Sequence, residues 1–391
     1  METHEPRTID NHPMPEAIPE LFPLNITIGT IEEKIIVHPT PIAKGGMGEI
    51  MVGWGVKTQK KYAVKAVSHD DFLKTFGTLS EDEQRSRWQY SQAELEREGV
   101  ITQALNHPNI ITCYGTVIGR NGEDHLVMEY LSPKEWGDLK MAREAGYQFP
   151  VTATKDILLQ TVRGLRYAHQ HYATQRDPKP ANIMVKPPSN RESSQYDVKL
   201  IDFGVTELVQ LDITRLTYNT LPKSDGKISG THDYIAPEIL FKSEGPSEQT
   251  MVYALGVISL EMMTGRRFYD FSNLNEFLQT IHSPDRIQDR VYQYMSALFP
   301  DDIHTMYRYI NVFNSALCEK ESRYLTPEAF VEAFTLAEQP QETGAYIELT
   351  PPSVLPVNDT IFHAPEVPQM DIQKRQNTRL IHRLIDRLRG I

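Results

Sequence analysis

Gln175-Arg176-Asp177-Pro178-Lys179-Pro180-Ala181-Asn182, followed downstream by Asp202-Phe203-Gly204, is the stretch on which the fold turns. It sets out an acid, a cation two residues on, an amide three further on, and then a second acid. These groups suit the transfer of a phosphoryl group from a metal-bound nucleotide to a hydroxyl. One acid takes the hydroxyl proton, the cation steadies the moving phosphate, and the amide and second acid hold a divalent metal. An Asp-x-Lys pair in a loop is by itself ordinary solvated surface. The order Arg-Asp-x-Lys-Pro-x-Asn, between a helical pattern and the strand-like Ile183-Met184-Val185, is far rarer. The second acid ends another apolar run, Val198-Lys199-Leu200-Ile201. An acid at a strand end before glycine suits a metal ligand on a mobile segment.

Upstream, Ile42-Ala43-Lys44-Gly45-Gly46-Met47-Gly48-Glu49-Ile50 reads as a glycine-rich turn between strands. Such a turn lets backbone N–H groups approach phosphates, and a plain β-turn is the alternative. Lys65 follows in Tyr62-Ala63-Val64-Lys65. A lysine inside an apolar strand is costly to desolvate unless it finds an anion. Either its head reaches water at a sheet edge, or it grips phosphates and pairs with a helix glutamate. A long helix is expected from Ser80, which with Glu83 forms a capping box, to Leu105. It carries Glu98, while Glu94 and Glu96 read as exposed acids. Far downstream lies Gly230-Thr231-His232-Asp233-Tyr234-Ile235-Ala236-Pro237-Glu238, with Arg323 expected as the buried partner of Glu238.

The texture along the chain predicts an α+β fold of two lobes. Residues 1–25, rich in Pro, Glu and His, read as a disordered leader. A small β-rich lobe is expected over 26–130, with strands near 35–37, 49–52, 62–67, 110–114 and 125–129. A larger helical lobe follows over 131–337. Its first helix, 154–171, sets Ile157, Leu158, Thr161, Leu165 and Ala168 on one face. Further helices are expected at 248–264, 273–282, 286–298, 302–318 and 326–336. Residues 338–370 form a proline-rich linker. The final segment, 371–391, has an apolar stripe of Leu380, Ile381, Leu384, Ile385 and Leu388. Around it stand Lys374, Arg375, Arg379, Arg383, Arg387 and Arg389. Such a helix either docks on this protein or a partner, or lies on an anionic membrane.

Composition narrows the classes. With 40% hydrophobic residues among 391, a buried core is feasible. A net charge of −12 argues against nucleic-acid binding, which wants a basic face. Two well-separated cysteines, Cys113 and Cys318, argue against a disulfide framework and point to a reducing cytoplasm. The N-terminus lacks the cationic and apolar regions of a signal peptide. The most apolar run, Val252 to Met263, is too short for a transmembrane segment and contains Glu261.

Taken in order, the motifs span about three quarters of the chain and resemble the eukaryotic-type (Hanks-type) serine/threonine protein kinase family, most closely its bacterial branch. The resemblance implies a protein kinase-like fold, a small β-rich N-lobe on a larger helical C-lobe, with ATP and Mg²⁺ as cofactors and protein substrates. It makes Asp177 the catalytic base, Lys179 the γ-phosphate cation, and Asn182 and Asp202 the metal ligands. Lys65 and Glu98 become the activating ion pair, because Glu98 has the family's offset from His107-Pro108-Asn109-Ile110. Ile42, Ala43, Gly45, Gly46 and Gly48 become the loop over the nucleotide. Ile50, Ala63 and Met184 enclose the adenine, Met128 is the gatekeeper, and Glu129 to Leu131 the hinge.

Four residues depart from the family pattern. Ala43 replaces the first loop glycine, Gln175 a histidine, and Met251 an aspartate that anchors the catalytic loop, while Pro178 follows the base. These departures motivate the alternative of a pseudokinase, a nucleotide-binding scaffold. Arg176 is a candidate receiver for a phosphate on Thr214, Thr217, Thr220, Ser224 or Ser229, with Asp225 a partial mimic of that charge.

Overall fold

The structure is a computed structural model. It describes residues 21–45, 48–119, 122–171, 173, 178–189, 195–203, 232–242, 246–269, 279–281 and 283–339. The chain divides into two compact units. Among the described residues the first unit holds 21–136 with Asp202 and Phe203, and the second holds 137–201 and 232–339.

The first unit is built on a seven-stranded antiparallel sheet. Its strands are β1 (Phe22–Ile28), β2 (Ile31–Val37), β3 (Ala43–Gly45), β4 (Gly48–Gly55), β5 (Lys61–Ala66), β6 (Cys113–Ile118) and β7 (Asp124–Glu129). They run in the order β1-β2-β4-β5-β7-β6, and β3 pairs with β4. Strand alternation gives the sheet two faces with different work. Tyr62, Val64 and Ala66 of β5 join Leu24, Ile26, Ile35, Val37, Met51 and Val127 in one apolar core. The intervening Ala63 and Lys65 therefore stand on the other face, beside their cross-strand partners Val52, Ile50, Met128 and Leu126. Two helices complete the unit, α1 (His69–Phe76) and α2 (Glu81–Ala104). The capping box expected at α2 is present, with Ser80 and Glu83 each accepting from the other's backbone N–H.

Three expectations for this unit are corrected. The leader does not run to residue 25, because Phe22–Asn25 already pairs with Lys34–Val37. Leu24 and Ile26 are buried, and Pro23 is tolerated because β1 lies at the edge of the hydrogen-bonded path. The strand expected at 110–114 begins only at Cys113. Ile110 and Ile111 are buried as their apolar character demands, but Ile110 N–H closes a turn onto the His107 carbonyl. The boundary between units also falls after Trp136 rather than at 130.

The second unit has a small sheet of β8 (Gly137–Asp138), β9 (Ile183–Lys186) and β10 (Asp197–Leu200), in the order β10-β9-β8. Its helices are α3 (Leu139–Glu144), α4 (Val151–Gln170), α5 (Pro237–Lys242), α6 (Glu248–Thr264), α7 (Pro284–Leu298), α8 (Ile303–Leu317) and α9 (Pro327–Glu338). Helix α6 is apolar all round, which suits a fully buried position, and nearly all of its residues are buried. Helices α3, α4, α7, α8 and α9 pack against it. The face expected on α4 is real, since Ile157, Leu158, Thr161, Leu165 and Ala168 are all buried. Of the helix expected at 273–282, only 279–281 lies within the described residues. The leader up to residue 20 and everything after 339, including the linker and basic helix, lie outside them. No helix among the described residues is long and apolar enough to cross a membrane.

Candidate active site

In the first unit three charged side chains meet. Lys65 Nζ donates to Glu98 Oε1 at 2.8 Å and Oε2 at 2.7 Å, and to Asp202 Oδ1 at 3.3 Å. Lys65 is 9% exposed and Glu98 7%, so the lysine does not reach water at a sheet edge. Burial works against its charge, but the carboxylates of Glu98 and Asp202 outweigh it and hold the ammonium above its ordinary range. Of the nearby helix acids, Glu96 is exposed and Glu94 only half-buried. Asp202 has a φ of +63°, a left-handed conformation uncommon for a residue with a side chain. Strain of this kind is tolerated where the surroundings over-determine it, often at functional sites. Phe203 beside it is buried.

The glycine-rich turn lies on the same sheet. Ala43, Lys44 and Gly45 pair with Ile50, Glu49 and Gly48, and Ile42 N–H donates to the Ile50 carbonyl. Gly48 cannot be replaced without a shift. Its φ is +141°, and a Cβ there would stand 2.2 Å from the Ala66 carbonyl oxygen. Ala43, by contrast, sits in ordinary strand pairing, which explains why alanine is accepted there. Ile50 is the cross-strand partner of Lys65, and Ala63 that of Met128. Glu129 is held to Thr112 twice, accepting at Oε1 from the Thr112 N–H at 2.7 Å and donating its own N–H to the Thr112 carbonyl. Leu131 follows, half-buried, within the same unit. Gly46 lies outside the described residues.

Lys179, Asn182 and Met184 belong to the second unit. A 3-10 turn over Pro180–Asn182 leads into β9, with Asn182 N–H bonded to the Lys179 carbonyl. The Asn182 carbonyl accepts from Ile201 N–H at 3.0 Å, tying this turn to the residue before Asp202. Asn182 is buried and Lys179 half-buried. Pro178 is buried. Gln175, Arg176 and Asp177 lie outside the described residues, as do Gly204 and the candidate phosphosites at 214–229 with Asp225.

Taken one by one, the Asp202 carboxylate of the first unit and the Asn182 amide oxygen of the second are hard oxygen donors, the kind that a divalent cation such as Mg²⁺ takes alongside water and phosphate oxygens. Among the described residues no group of three or more His, Cys, Asp or Glu could hold a metal unaided.

The second unit also places the expected Glu238–Arg323 pair, at 2.6 and 3.2 Å and fully buried. Arg323 further donates to the carbonyls of Gln249 and Cys318. A second buried cluster escaped the sequence reading. Glu261, inside apolar α6, accepts at Oε2 from Arg143 at 2.6 Å and Tyr234 at 2.7 Å, and at Oε1 from Phe268 N–H at 3.0 Å. A charge inside an otherwise apolar helix was the signal that it needed such partners. Also missed were Gln92 and Gly99, on the face of α2 that carries Glu98. Their signal was helical spacing, since Gln92, Leu95, Gly99 and Thr102 follow one another at steps of three, four and three residues.

Three comparisons bear on the chain. A family model described as the protein kinase domain matches residues 38–333. The cell division control protein 2 homolog 3 of Trypanosoma brucei brucei is 31% identical over 193 residues, covering 48% of this chain and 55% of that protein. The serine/threonine-protein kinase pkn2 of Myxococcus xanthus is 26% identical over 232 residues, covering 59% of this chain and 24% of that protein. The chain thus spans little more than half the length of the first and a quarter of the second. A crystal structure of Rad53 1-466 in complex with AMP-PNP has a TM-score of 0.53 at 19% identity, covering 76% of this chain and 64% of that one. At that identity the likeness concerns the fold.

Proposed function

The chain belongs to the protein kinase family, and from that premise we propose that it is an active serine/threonine protein kinase, moving the γ-phosphate of ATP to a hydroxyl of protein substrates, itself among them. One observation carries the reading: Lys65 is held, charged and buried, by Glu98 and Asp202 at 2.7 to 3.3 Å. A scaffold with no use for the pair would have little reason to keep a buried charge cluster that apolar residues could replace at no loss of stability.

Each residue then has a role that its chemistry allows. Lys65 offers N–H donors to nucleotide phosphates, and Glu98 keeps that ammonium charged and aimed. Asp202 and Asn182 would hold Mg²⁺, which when bound neutralises charge on the phosphates. Lys179 supplies positive charge for the transferring group. Asp177 accepts the hydroxyl proton. Gly48, having no Cβ, would leave its backbone bare to a nucleotide, and Ile50 and Ala63 of the first unit and Met184 of the second would supply apolar contacts to its base. Met128 stands before the Glu129–Leu131 hinge. The chemistry is mostly positioning and electrostatics, so loss of any charged member should lower turnover steeply.

The test compares the wild-type protein with Asp177→Asn and Lys65→Met, each incubated with labelled ATP and Mg²⁺ and followed by phosphosite mapping. The expected result is transfer to Ser or Thr by the wild type and a loss of about 10²-fold or more in each variant. Equal incorporation in all three, or in none, overturns the reading. Nucleotide binding without transfer by the wild type would establish the scaffold instead.

A further inference from the structure

Helix α2 must bring Glu98 to Lys65, yet its docked face is poor in the usual adhesive. Of its five buried residues, Gln92, Leu95, Glu98, Gly99 and Thr102, only leucine is a large apolar side chain. Apolar burial is non-directional and so does little to single out one register of a helix on a sheet, whereas a polar contact can. Gln92 is buried, and its Oε1 accepts from the backbone N–H of Asp124, at the start of β7, at 2.6 Å. A backbone N–H can be met only by an acceptor, so the amide orientation is fixed by chemistry. Two turns further along the same face, Gly99 lies so close to the sheet that a Cβ would stand 2.1 Å from Thr116 Oγ1 and 2.9 Å from Leu126 Cδ1. Gln103 adds a weaker, exposed bond from Nε2 to the Tyr114 carbonyl on β6, at 2.8 Å.

The docking is specific without being strongly over-determined. Gln92 Nε2, Thr102 Oγ1 and Thr116 Oγ1 are buried and have no hydrogen-bond partner among the described residues. Buried polar atoms left this way disfavour the docked state, so the bonds that are made carry much of the preference for it. Glu98 sits between the two clamps, Gln92 on one side and Gln103 on the other, with Gly99 immediately beside it.

We infer that Gln92 is a positioning residue: through the Asp124 N–H it fixes the register of α2 on β7, and so presents Glu98 to Lys65. It touches no reacting atom, and its effect on turnover passes through the Lys65–Glu98 pair. The inference rests on the kinase reading for its consequence in turnover, but not for its consequence in structure.

The experiment uses the full chain and two substitutions, Gln92→Leu and Glu98→Gln, singly and together. Leucine is close in size to glutamine but offers no acceptor. Gln92→Leu should speed amide exchange across 81–104 by about three- to tenfold, with the second unit unaffected. With ATP and Mg²⁺ it should lower kcat by a similar factor and leave the KM for the protein substrate unchanged. In the Glu98→Gln background it should cause no further loss of kcat, because the path through Glu98 is already cut. Unchanged exchange in α2 overturns the inference. So does an unchanged kcat in an active enzyme, or a loss that multiplies fully with that of Glu98→Gln. A wild type without transfer sinks the kinase reading, and the exchange measurement then decides the role of Gln92 alone.

Discussion

Burial pushes the Asp233 carboxyl up, from an ordinary 3.8 to about 6, with Arg267 at 3.8 Å only partly opposing it and Glu261 adding to it. Asp233 is 3% exposed, so solvent does little to soften this. Because the folded value is raised, the folded protein favours the neutral acid. Its favourable contribution is full below about pH 4 and is lost as pH rises through about 6. Asp233→Asn should therefore stabilise the second unit by about 1–3 kcal/mol at pH 8 and change little at pH 4. Urea unfolding at several pH values checks this. A variant less stable than wild type at pH 8 would show that the Arg267 pairing outweighs burial. The Glu238–Arg323 pair predicts the opposite behaviour on truncation. Arg323→Ala strands a buried carboxylate and removes donors to two carbonyls, so a loss of about 3–5 kcal/mol is expected in the same measurement.

Among elements, β1 and α2 show where local pattern suffices and where it does not. The start of α2 was legible because a capping box is a contact three residues long, and Ser80→Ala should cost about 1 kcal/mol of stability. Lys65 and Glu98 were legible because an apolar strand and a fixed spacing single them out. Gln92 was not, since glutamine on a helix is ordinarily surface, and only the sheet beneath it makes this one an anchor. Strand β1 was hidden for a related reason. Its inward residues, Leu24 and Ile26, are few, and Pro23 and a polar leader break the alternation. Yet β1 pairs along the full length of β2 and also lies against β6, the far end of the hydrogen-bonded path. Deleting residues 1–28 should uncover Ile35 and Val37 and lower the melting temperature of the first unit. Scanning calorimetry of that deletion beside the full chain tests it, and an unchanged melting temperature would make β1 dispensable.

At the scale of the whole molecule, the chain order and the unit boundaries part company. Asp202 and Phe203 follow β10 of the second unit but belong to the first, through a contact between Lys65 and Asp202 that lies 137 residues apart in sequence. No local texture announces such a return; only the chemistry of a lysine needing anions hints at it. The C-terminal boundary of the second unit raises a similar question. The family model ends at residue 333, within α9. Phe334, one residue later, is fully buried and packs edge-on against Tyr309 and Phe313 of α8. The Ala337 carbonyl accepts from Arg308 Nε at 2.9 Å, and Glu338 pairs with Lys155 of α4. The helix end is thus part of the core, not a margin. A protein ended at 333 should lose about 3–5 kcal/mol relative to one ended at 339, by the measure of a buried phenylalanine removed. The protein ended at 339 should unfold with the cooperativity of the full chain, because every contact of α9 described above is retained. Denaturant midpoints of the two truncations decide it: coincident midpoints would mean that the last turn of α9 contributes nothing to the fold.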